Sequence, residues 1–289
     1  MHTNRHQEHT VDKLAARSSG LAAKKSLGQH FLNDKKYLRA IADAALFPKD
    51  RPLETIVEIG PGKGSLTAEL LARGARVIAL EKDRRLILFL QEKFSKEITE
   101  GKLHLVETDA LEFEPSGSRL AARGYSLIGN IPYYVTGALL SKFLTEKIQP
   151  SRIVFLVQKE VAERIARSKK ESRLSLSVKC YGEPRYIQKV PKGVFSPPPS
   201  VDSAILLIDH ISRKHFSDAA HEKRFFELVR AGFAHKRKLL VRNMEPVFAK
   251  DSPLQITAAL KEASIPEKAR AEDVALEKWL RLVNALGIS

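Results

Sequence analysis

Asn130-Ile131-Pro132-Tyr133 closes the apolar run Tyr125-Ser126-Leu127-Ile128 and sets an amide, a proline and an aromatic ring at one strand end. An amide oxygen and a backbone carbonyl accept hydrogen bonds, and a tyrosine ring offers a stacking face. Such a group suits a flat ring that carries an amine. Upstream, Glu58-Ile59-Gly60-Pro61-Gly62-Lys63-Gly64 forms a glycine-rich turn, also at a strand end. One site for a nucleotide-like cofactor and one for a planar base together describe chemistry on nucleobases.

The glycine turn departs from two common patterns. Gly60-x-Gly62-x-Gly64 is not G-x-G-x-x-G, and no Gly-Lys-Ser/Thr follows, so neither a dinucleotide fingerprint nor a P-loop is present. A cofactor without phosphates fits better. Glu81 follows the next strand, 21 residues after Gly60, where a carboxylate accepts from both ribose hydroxyls. The bland reading is a surface Glu at a helix start, with Asp83 as the cap. Asp109, after the third strand, is placed to accept from an adenine amino group; a plain turn residue would stand there equally well. The turn, Glu81 and Asp109 at three successive strand ends point together to S-adenosylmethionine.

These motifs need a scaffold of alternating elements. Strands are expected over 55–59, 76–80, 102–106, 125–128 and 153–157. Helices are expected over 34–46, capped by Asn33 or Asp34, and over 65–72, 83–94, 136–144 and 159–166. This alternation implies an α/β fold with parallel crossover units in a doubly wound sheet, whose ligands bind beyond the carboxyl ends of the strands. Residues 172–181 read as helical or irregular, and 184–190 and 202–208 as two further strands. Between them, Phe195-Ser196-Pro197-Pro198-Pro199-Ser200 suits neither a helix nor an interior strand. Beyond about residue 210 only helices are expected, near 221–233, 236–248, 253–263 and 272–286. The expected organisation is a flexible extension over 1–23, a catalytic domain over 24–209 and a helical domain over 210–289.

Composition narrows the partners. In 289 residues, 49 Lys+Arg face 34 Asp+Glu, a net charge of +15, which suits a polyanion such as nucleic acid. The excess is concentrated: residues 151–200 hold 11 basic and 4 acidic side chains. No apolar run approaches the ~18–20 residues that cross a bilayer, and the first 25 residues lack a signal-peptide pattern. A cytoplasmic protein is expected. The single Cys180 excludes an internal disulfide framework and any multi-cysteine metal site, and reads as a buried inert thiol. His2, His6 and His9 read as a solvated tail rather than a metal site.

In order, Gly28-Gln29-His30-Phe31-Leu32, Glu58-Ile59-Gly60-Pro61-Gly62, Glu81, Asp109-Ala110, Asn130-Ile131-Pro132-Tyr133 and Phe195-Ser196-Pro197-Pro198-Pro199-Ser200-Val201 resemble the motifs of the ribosomal RNA adenine dimethyltransferases. The resemblance runs from about Lys24 to the C-terminus, and its specificity lies in the ordered set rather than in any one motif. It implies a Rossmann-like class I methyltransferase sheet with helices on both faces, and a smaller all-helical C-terminal domain. It places His30, Leu32, Gly60, Gly62, Glu81, Asp109 and Asn130 around S-adenosylmethionine, with His30 where many relatives have Asn. It places Asn130, Ile131, Pro132, Tyr133 and Phe195 at the catalytic centre, with Phe195 opposite the Tyr133 ring across the target base. The implied substrate is a pair of adjacent adenines in the 3′-terminal loop of small-subunit RNA, within a precursor 30S particle. Each would become N6,N6-dimethyladenosine. A monomer is expected, with no membrane and no metal.

The residues explain why that chemistry suits them. The exocyclic amine of adenine is a poor nucleophile because its lone pair is delocalised into the ring. The Asn130 side-chain oxygen and the Ile131 carbonyl, aimed at its protons, would draw the nitrogen toward tetrahedral geometry. Pro132 has no N–H and fixes the chain direction, and Tyr133 would stack on the base. For RNA, Arg164, Arg167, Lys169, Lys170, Lys236, Arg237, Lys238 and Arg242 are candidate phosphate contacts, although any one of them would suit a solvated helix face. Three rivals stay open: a large-subunit RNA adenine methylase conferring antibiotic resistance, a non-catalytic ribosome-assembly factor, and a DNA adenine methylase. The triple proline with Val201 and the basic C-terminal part favour the small-subunit branch.

Overall fold

A computed structural model describes residues 21–24, 27–46, 55–115, 120, 124–246 and 253–286. The expected extension lies outside them up to residue 20. In chain order the first elements are β1 (Phe31–Leu32), α1 (Lys35–Leu46), β2 (Thr55–Ile59), α2 (Ser65–Ala72), β3 (Arg76–Glu81), α3 (Arg84–Lys93), α4 (Ser95–Thr99) and β4 (Leu103–Glu107). Then follow β5 (Tyr125–Asn130), α5 (Thr136–Thr145), β6 (Arg152–Gln158), α6 (Lys159–Ala166), α7 (Arg173–Lys179), β7 (Glu183–Val190), β8 (Phe195–Ser196) and β9 (Ser203–Asp209). The last are α8 (Ala219–Gly232), α9 (Leu240–Met244), α10 (Pro253–Glu262) and α11 (Leu276–Ala285).

Local chemistry sets these ends. Asp34 caps α1 by accepting from the Lys36 N–H at 2.8 Å, and Asp83 caps α3 through the Arg85 N–H. Ser172 and Ser175 form a reciprocal capping box at the start of α7, which resolves a stretch that read as helical or irregular.

The seven-stranded sheet has the order β4-β3-β2-β5-β6-β9-β7, and β4-β3-β2-β5-β6 pair in parallel. The chain moves outward from β2 through β3 to β4, then returns to lay β5 on the other side of β2. That reversal is a topological switch point, where the strand ends splay and leave a crevice. The register puts Ile59 of β2 beside Gly129 of β5, so the glycine turn and Asn130 leave the sheet at the same level. Core residues such as Ile56, Leu70, Ile128, Val154 and Ile205 are fully buried around these strands.

Contacts divide the chain into two compact units. One runs to Lys159 and includes Ile187–Leu207; the other joins Glu160–Tyr186 to the chain from Ile208 onward. The second unit packs α8 with α7, α9 and α11. Its Trp279 is fully buried and donates from Nε1 to Val274 O at 3.1 Å. Gly232 lets α8 approach closely: a Cβ there would lie 2.4 Å from the Trp279 ring.

Of the differences from the sequence reading, which include a last helix that starts at Leu276 rather than near 272, two are instructive. The expected helix over 236–248 begins only at Leu240, because His235 to Lys238 form turns. The Asn243 amide holds that turn by donating to Gly232 O at 2.6 Å and His235 O at 3.0 Å. The second difference is the two-stranded ladder of β1 and β8, which pairs Leu32 with Phe195. Two-residue strands carry too little periodicity to be seen in sequence.

Candidate active site

A cavity of about 370 Å³ opens at the switch point. Its walls include the segment 27–32, the glycine turn after β2, the end of β3, the residues after β4 and the end of β5, with Leu38 and Ile41 of α1 and Leu139 of α5. His30, Leu32, Gly60, Gly62, Glu81, Asp109, Asn130, Ile131, Pro132 and Tyr133 all line it.

The glycine turn is shaped by close approach as well as by backbone conformation. Gly62 has φ +59°, and a Cβ there would sit 3.0 Å from the Phe31 ring. Gly64 starts α2 at φ +75°, and its Cβ would meet the Phe94 ring at 2.5 Å. Side chains at either position would push the turn off its neighbours.

Glu81 is 5% exposed and accepts from the Asp83 N–H at 2.9 Å and the Gly62 N–H at 3.4 Å. It thus ties the glycine turn to the start of α3. Burial raises its pKa above the usual carboxylate range, although these N–H groups oppose that shift. Asp83 behaves oppositely: hydrogen bonds from the Arg85 side chain bring it down to about 2. Asp109 accepts from the Leu111 N–H at 3.0 Å and pairs with Lys82 at 3.3 Å. It is therefore both a turn-capping residue and a cavity wall.

Asn130 ends β5. Its Nδ2 donates to His30 O at 2.7 Å, and a carbonyl can only accept, so the amide orientation follows. Oδ1 is left without a hydrogen-bond partner among the described residues. Ile131 is 2% exposed, which anchors the turn while its peptide follows the Asn130 amide. Tyr133 is half-buried, with its hydroxyl sharing a 2.7 Å hydrogen bond with Ser203 Oγ. Burial pushes the phenol up, so the ring stays neutral at ordinary pH. His30 lies nearly parallel to Tyr133, with centroids 6.4 Å apart at 20°, and its Nδ1–H donates to Pro197 O at 2.8 Å.

Phe195 is the exception. It was expected across the base from Tyr133, but it does not line the cavity. It is 5% exposed, packed in the core, and held by pairing with Leu32. The short β1–β8 ladder turns its ring inward, and a three-proline sequence gives no sign of that.

Sequence reasoning also passed over residues that matter here. Glu58, 1% exposed, lines the cavity from within β2 and accepts from the Thr67 hydroxyl at 2.7 Å. Burial raises its pKa to about 7; the Thr67 hydrogen bond and the nearby Lys93 oppose the shift, and Glu81 adds to it. An acid inside an apolar strand, two residues before Gly60, was the available signal. Ser203 and Tyr134 were likewise not singled out.

The basic candidates all belong to the second unit. Lys170 pairs with Glu272 and lies 3.8 Å from Asp273, while Arg242 pairs with both oxygens of Glu245 at 3.2 Å. The Arg167 guanidinium lies 3.8 Å from the centre of the Tyr186 ring. Arg164, Lys169, Arg237 and Lys238 are exposed and form no ion pair among the described residues. The pairing with Lys170, and the charges of Arg270 and Lys236, hold the Glu272 carboxyl below its usual value. Among the described residues no group of three or more His, Cys, Asp or Glu is placed to hold a metal ion, and no helix is long and apolar enough to cross a membrane.

Comparison with known proteins places the chain. It is 40% identical over 263 residues to ribosomal RNA small subunit methyltransferase A of Dehalococcoides mccartyi strain CBDB1, covering 91% of this chain and 88% of that one. The protein of the same name from Shouchella clausii is 36% identical over 275 residues, covering 92% and 90%. Among solved structures, a dimethyladenosine transferase from Plasmodium falciparum superposes with a TM-score of 0.73 at 25% identity, covering 90% of this chain and 99% of that one. The 23S rRNA methyltransferase ErmE superposes with a TM-score of 0.70 at 29% identity, covering 89% and 99%. The family model for ribosomal RNA adenine dimethylase matches residues 20–287, and the chain belongs to that family.

Proposed function

We propose that this chain transfers methyl groups from S-adenosylmethionine to N6 of two adjacent adenosines in the 3′-terminal loop of small-subunit (16S) rRNA, giving N6,N6-dimethyladenosine during ribosome biogenesis. Family membership makes it an S-adenosylmethionine-dependent rRNA adenine dimethyltransferase. The observation that carries the site assignment is Asn130, whose amide is turned by His30 O so that Oδ1, on the cavity wall, has no hydrogen-bond partner among the described residues.

The cavity fits the cofactor. Its volume is right for a nucleoside with a short tail, and of the three acidic side chains on its wall Glu81 and Asp109 stand at strand ends, as a ribose and an adenine amine require. Glu81 would accept from the ribose hydroxyls and Asp109 from the adenine amine. Gly60 and Gly62 would admit the cofactor close to the backbone, with His30 and Leu32 at the methionine end. S-adenosylmethionine, when bound, supplies a methyl already activated by a positively charged sulfur.

The protein's own part is positioning. Asn130 Oδ1 and the Ile131 carbonyl would accept the two amine protons of the target adenine and localise its lone pair on N6. Pro132 keeps the carbonyl aimed, and Tyr133 would stack on the ring, its tilt set by Ser203. The amine so held would take the methyl that the sulfonium supplies, its sulfur keeping the bonding pair, and would then release a proton to water. Holding the two reactants in line supplies most of the acceleration, so the proposed reaction needs neither a metal nor a covalent enzyme intermediate. Phe195 would act only through Leu32 and the β1–β8 ladder.

The target adenosine must leave its stack to reach this depth. The exposed cations Arg164, Lys169, Arg237 and Lys238, with Arg167, Lys170, Lys236 and Arg242, are proposed to hold the RNA backbone. In domain terms, residues 24–209 would carry methyl transfer and 210–289 RNA binding, aided by the basic stretch 164–170. The proposed substrate is a precursor 30S particle, the proposed compartment the cytoplasm and the proposed state a monomer. Similarity to ErmE keeps a large-subunit substrate as the second reading, and the small-subunit names of the 35–40% identical relatives favour the first. Mass-spectrometric mapping after incubation with immature small subunits, and in parallel with naked large-subunit RNA, tests this. Two adjacent dimethyladenosines near the small-subunit 3′ end are expected; methylation confined to large-subunit RNA would overturn it.

A further inference from the structure

Two of the exposed large apolar side chains, Leu111 and Tyr134, stand on the wall of the cavity, and Tyr134 is 66% exposed. Leu111 sits beside Asp109, whereas Tyr134 follows directly on Tyr133. The two tyrosines share one 3-10 turn, Tyr133–Val135, yet their surroundings differ sharply. Tyr133 is half-buried and its hydroxyl is tied to Ser203. Tyr134 has no hydrogen bond, ion pair or ring partner among the described residues. One edge of its ring is backed by Gly28, where a Cβ would come within 3.2 Å of Tyr134 Cε1 and 3.3 Å of Pro132 Cβ. The ring is therefore braced against the cavity rim and open on the rest of its surface.

A 3-10 turn has about three residues per turn, so successive side chains diverge by roughly 120°. Tyr133 and Tyr134 cannot serve the same base. We propose that Tyr134 is a second stacking platform, a positioning residue for the nucleotide next to the target adenosine. The proposal rests on the reading that Tyr133 holds the target base. Its logic is that of single-stranded RNA recognition. A base turned into a deep cavity deserts its neighbour, and an exposed aromatic ring at the rim offers that neighbour a new face. Stacking needs a ring but no hydroxyl, which matches a tyrosine whose hydroxyl bonds to nothing in the described structure. In a substrate with two adjacent adenosines, the neighbour is itself a purine, the better stacking partner. The same platform would hold whichever adenosine waits while the other reacts.

The test compares wild type with Tyr134→Ala, Tyr134→Leu and Tyr134→Phe on immature small subunits. The effect expected of Ala and Leu is a KM for the particle raised about tenfold, with kcat changed much less and cofactor affinity unchanged by calorimetry. Phe should match wild type. Particles in which the flanking adenosine is replaced by uridine supply a second readout. That change should raise the wild-type KM and add little to the KM of Tyr134→Ala, because both remove the same contact. Equal KM values for Tyr134→Ala and wild type would overturn the proposal. So would additive effects of the two changes, or weaker cofactor binding by Tyr134→Ala, which would make the ring a cover over Gly28. A Tyr133→Ala arm separates the underlying reading. Normal turnover there would discard the base site itself, whereas lost turnover there with an unaffected Tyr134→Ala would discard only the platform.

Discussion

The cavity at the sheet switch point and the basic surface of the second unit hold their polar groups in opposite ways. In the cavity the polar groups proposed to act are each fixed by a neighbour. Asn130 is held by His30 O, Tyr133 by Ser203 and Glu81 by two backbone N–H groups. On the basic surface Arg164, Lys169, Arg237 and Lys238 form no ion pair among the described residues, and Lys170 and Arg242 are only paired at the surface. The first arrangement suits a reaction that depends on angles and tenths of an ångström. The second suits a flexible polyanion, where charge acts over about a Debye length and no single geometry is required.

If that contrast is right, single changes in the cavity should be severe and single changes on the surface mild. The largest effect is expected from Asn130→Ala, which should lower kcat by at least roughly 10²–10³-fold with an unchanged circular dichroism spectrum, the range for removing one oriented polar group from an active site. Near-normal single-turnover rates would break the comparison. Next comes Glu81→Gln, which keeps an acceptor but removes the charge. Its cofactor Kd should rise roughly 10–100-fold by calorimetry, as expected for hydrogen bonds to a charged group worth about 1.5–3 kcal/mol.

On the surface, Arg164→Ala, Lys169→Ala and Lys238→Ala combined should weaken RNA binding about tenfold and flatten the log–log salt dependence by roughly 2. Changing Lys170 and Arg242 instead should do less, since each already faces a carboxylate. Equal effects of the two sets would show that the intramolecular pairs do not matter. The smallest effect concerns Glu58, whose folded pKa of about 7 lies above its ordinary 4.5. A raised carboxyl pKa contributes stability that is fully present below about 4.5 and is lost as pH rises through about 7. Thermal melts should therefore show Glu58→Gln gaining a few degrees over wild type at pH 8 and little at pH 5. A constant difference across that window would mean that burial of Glu58 is relieved by water.

The same contrast explains what was legible in sequence. Thr55–Ile59, Ser65–Ala72 and Lys159–Ala166 match their expected bounds; the first two are largely apolar segments with a sharp stop, such as the glycine turn after Ile59, and the third has apolar residues at helical spacing. The cavity residues were readable because they come at strand ends, and a parallel sheet brings strand ends together whatever the loops do. The burial of Phe195 was not legible because its environment depends on a two-residue ladder with β1, a contact across more than 160 residues. The helix expected over 236–248 was cut short for a related reason. Asn243 reaches back to Gly232 O and His235 O, and helical periodicity cannot show a side chain that competes for backbone carbonyls.

By itself the sequence determined the alternation of strands and helices, the glycine turn, the acidic residues at successive strand ends, the Asn130-to-Tyr133 motif and the excess of positive charge. Those are local properties, written in residue type and spacing. The tertiary structure alone decided which face of each group is available. It turned the Asn130 amide so that its oxygen is unpartnered among the described residues, tied the Tyr133 hydroxyl while leaving Tyr134 open, buried Phe195, raised the pKa of Glu58 and paired Lys170 with the distant Glu272. The physical reason is that availability depends on neighbours, and these neighbours come from segments far apart in the chain.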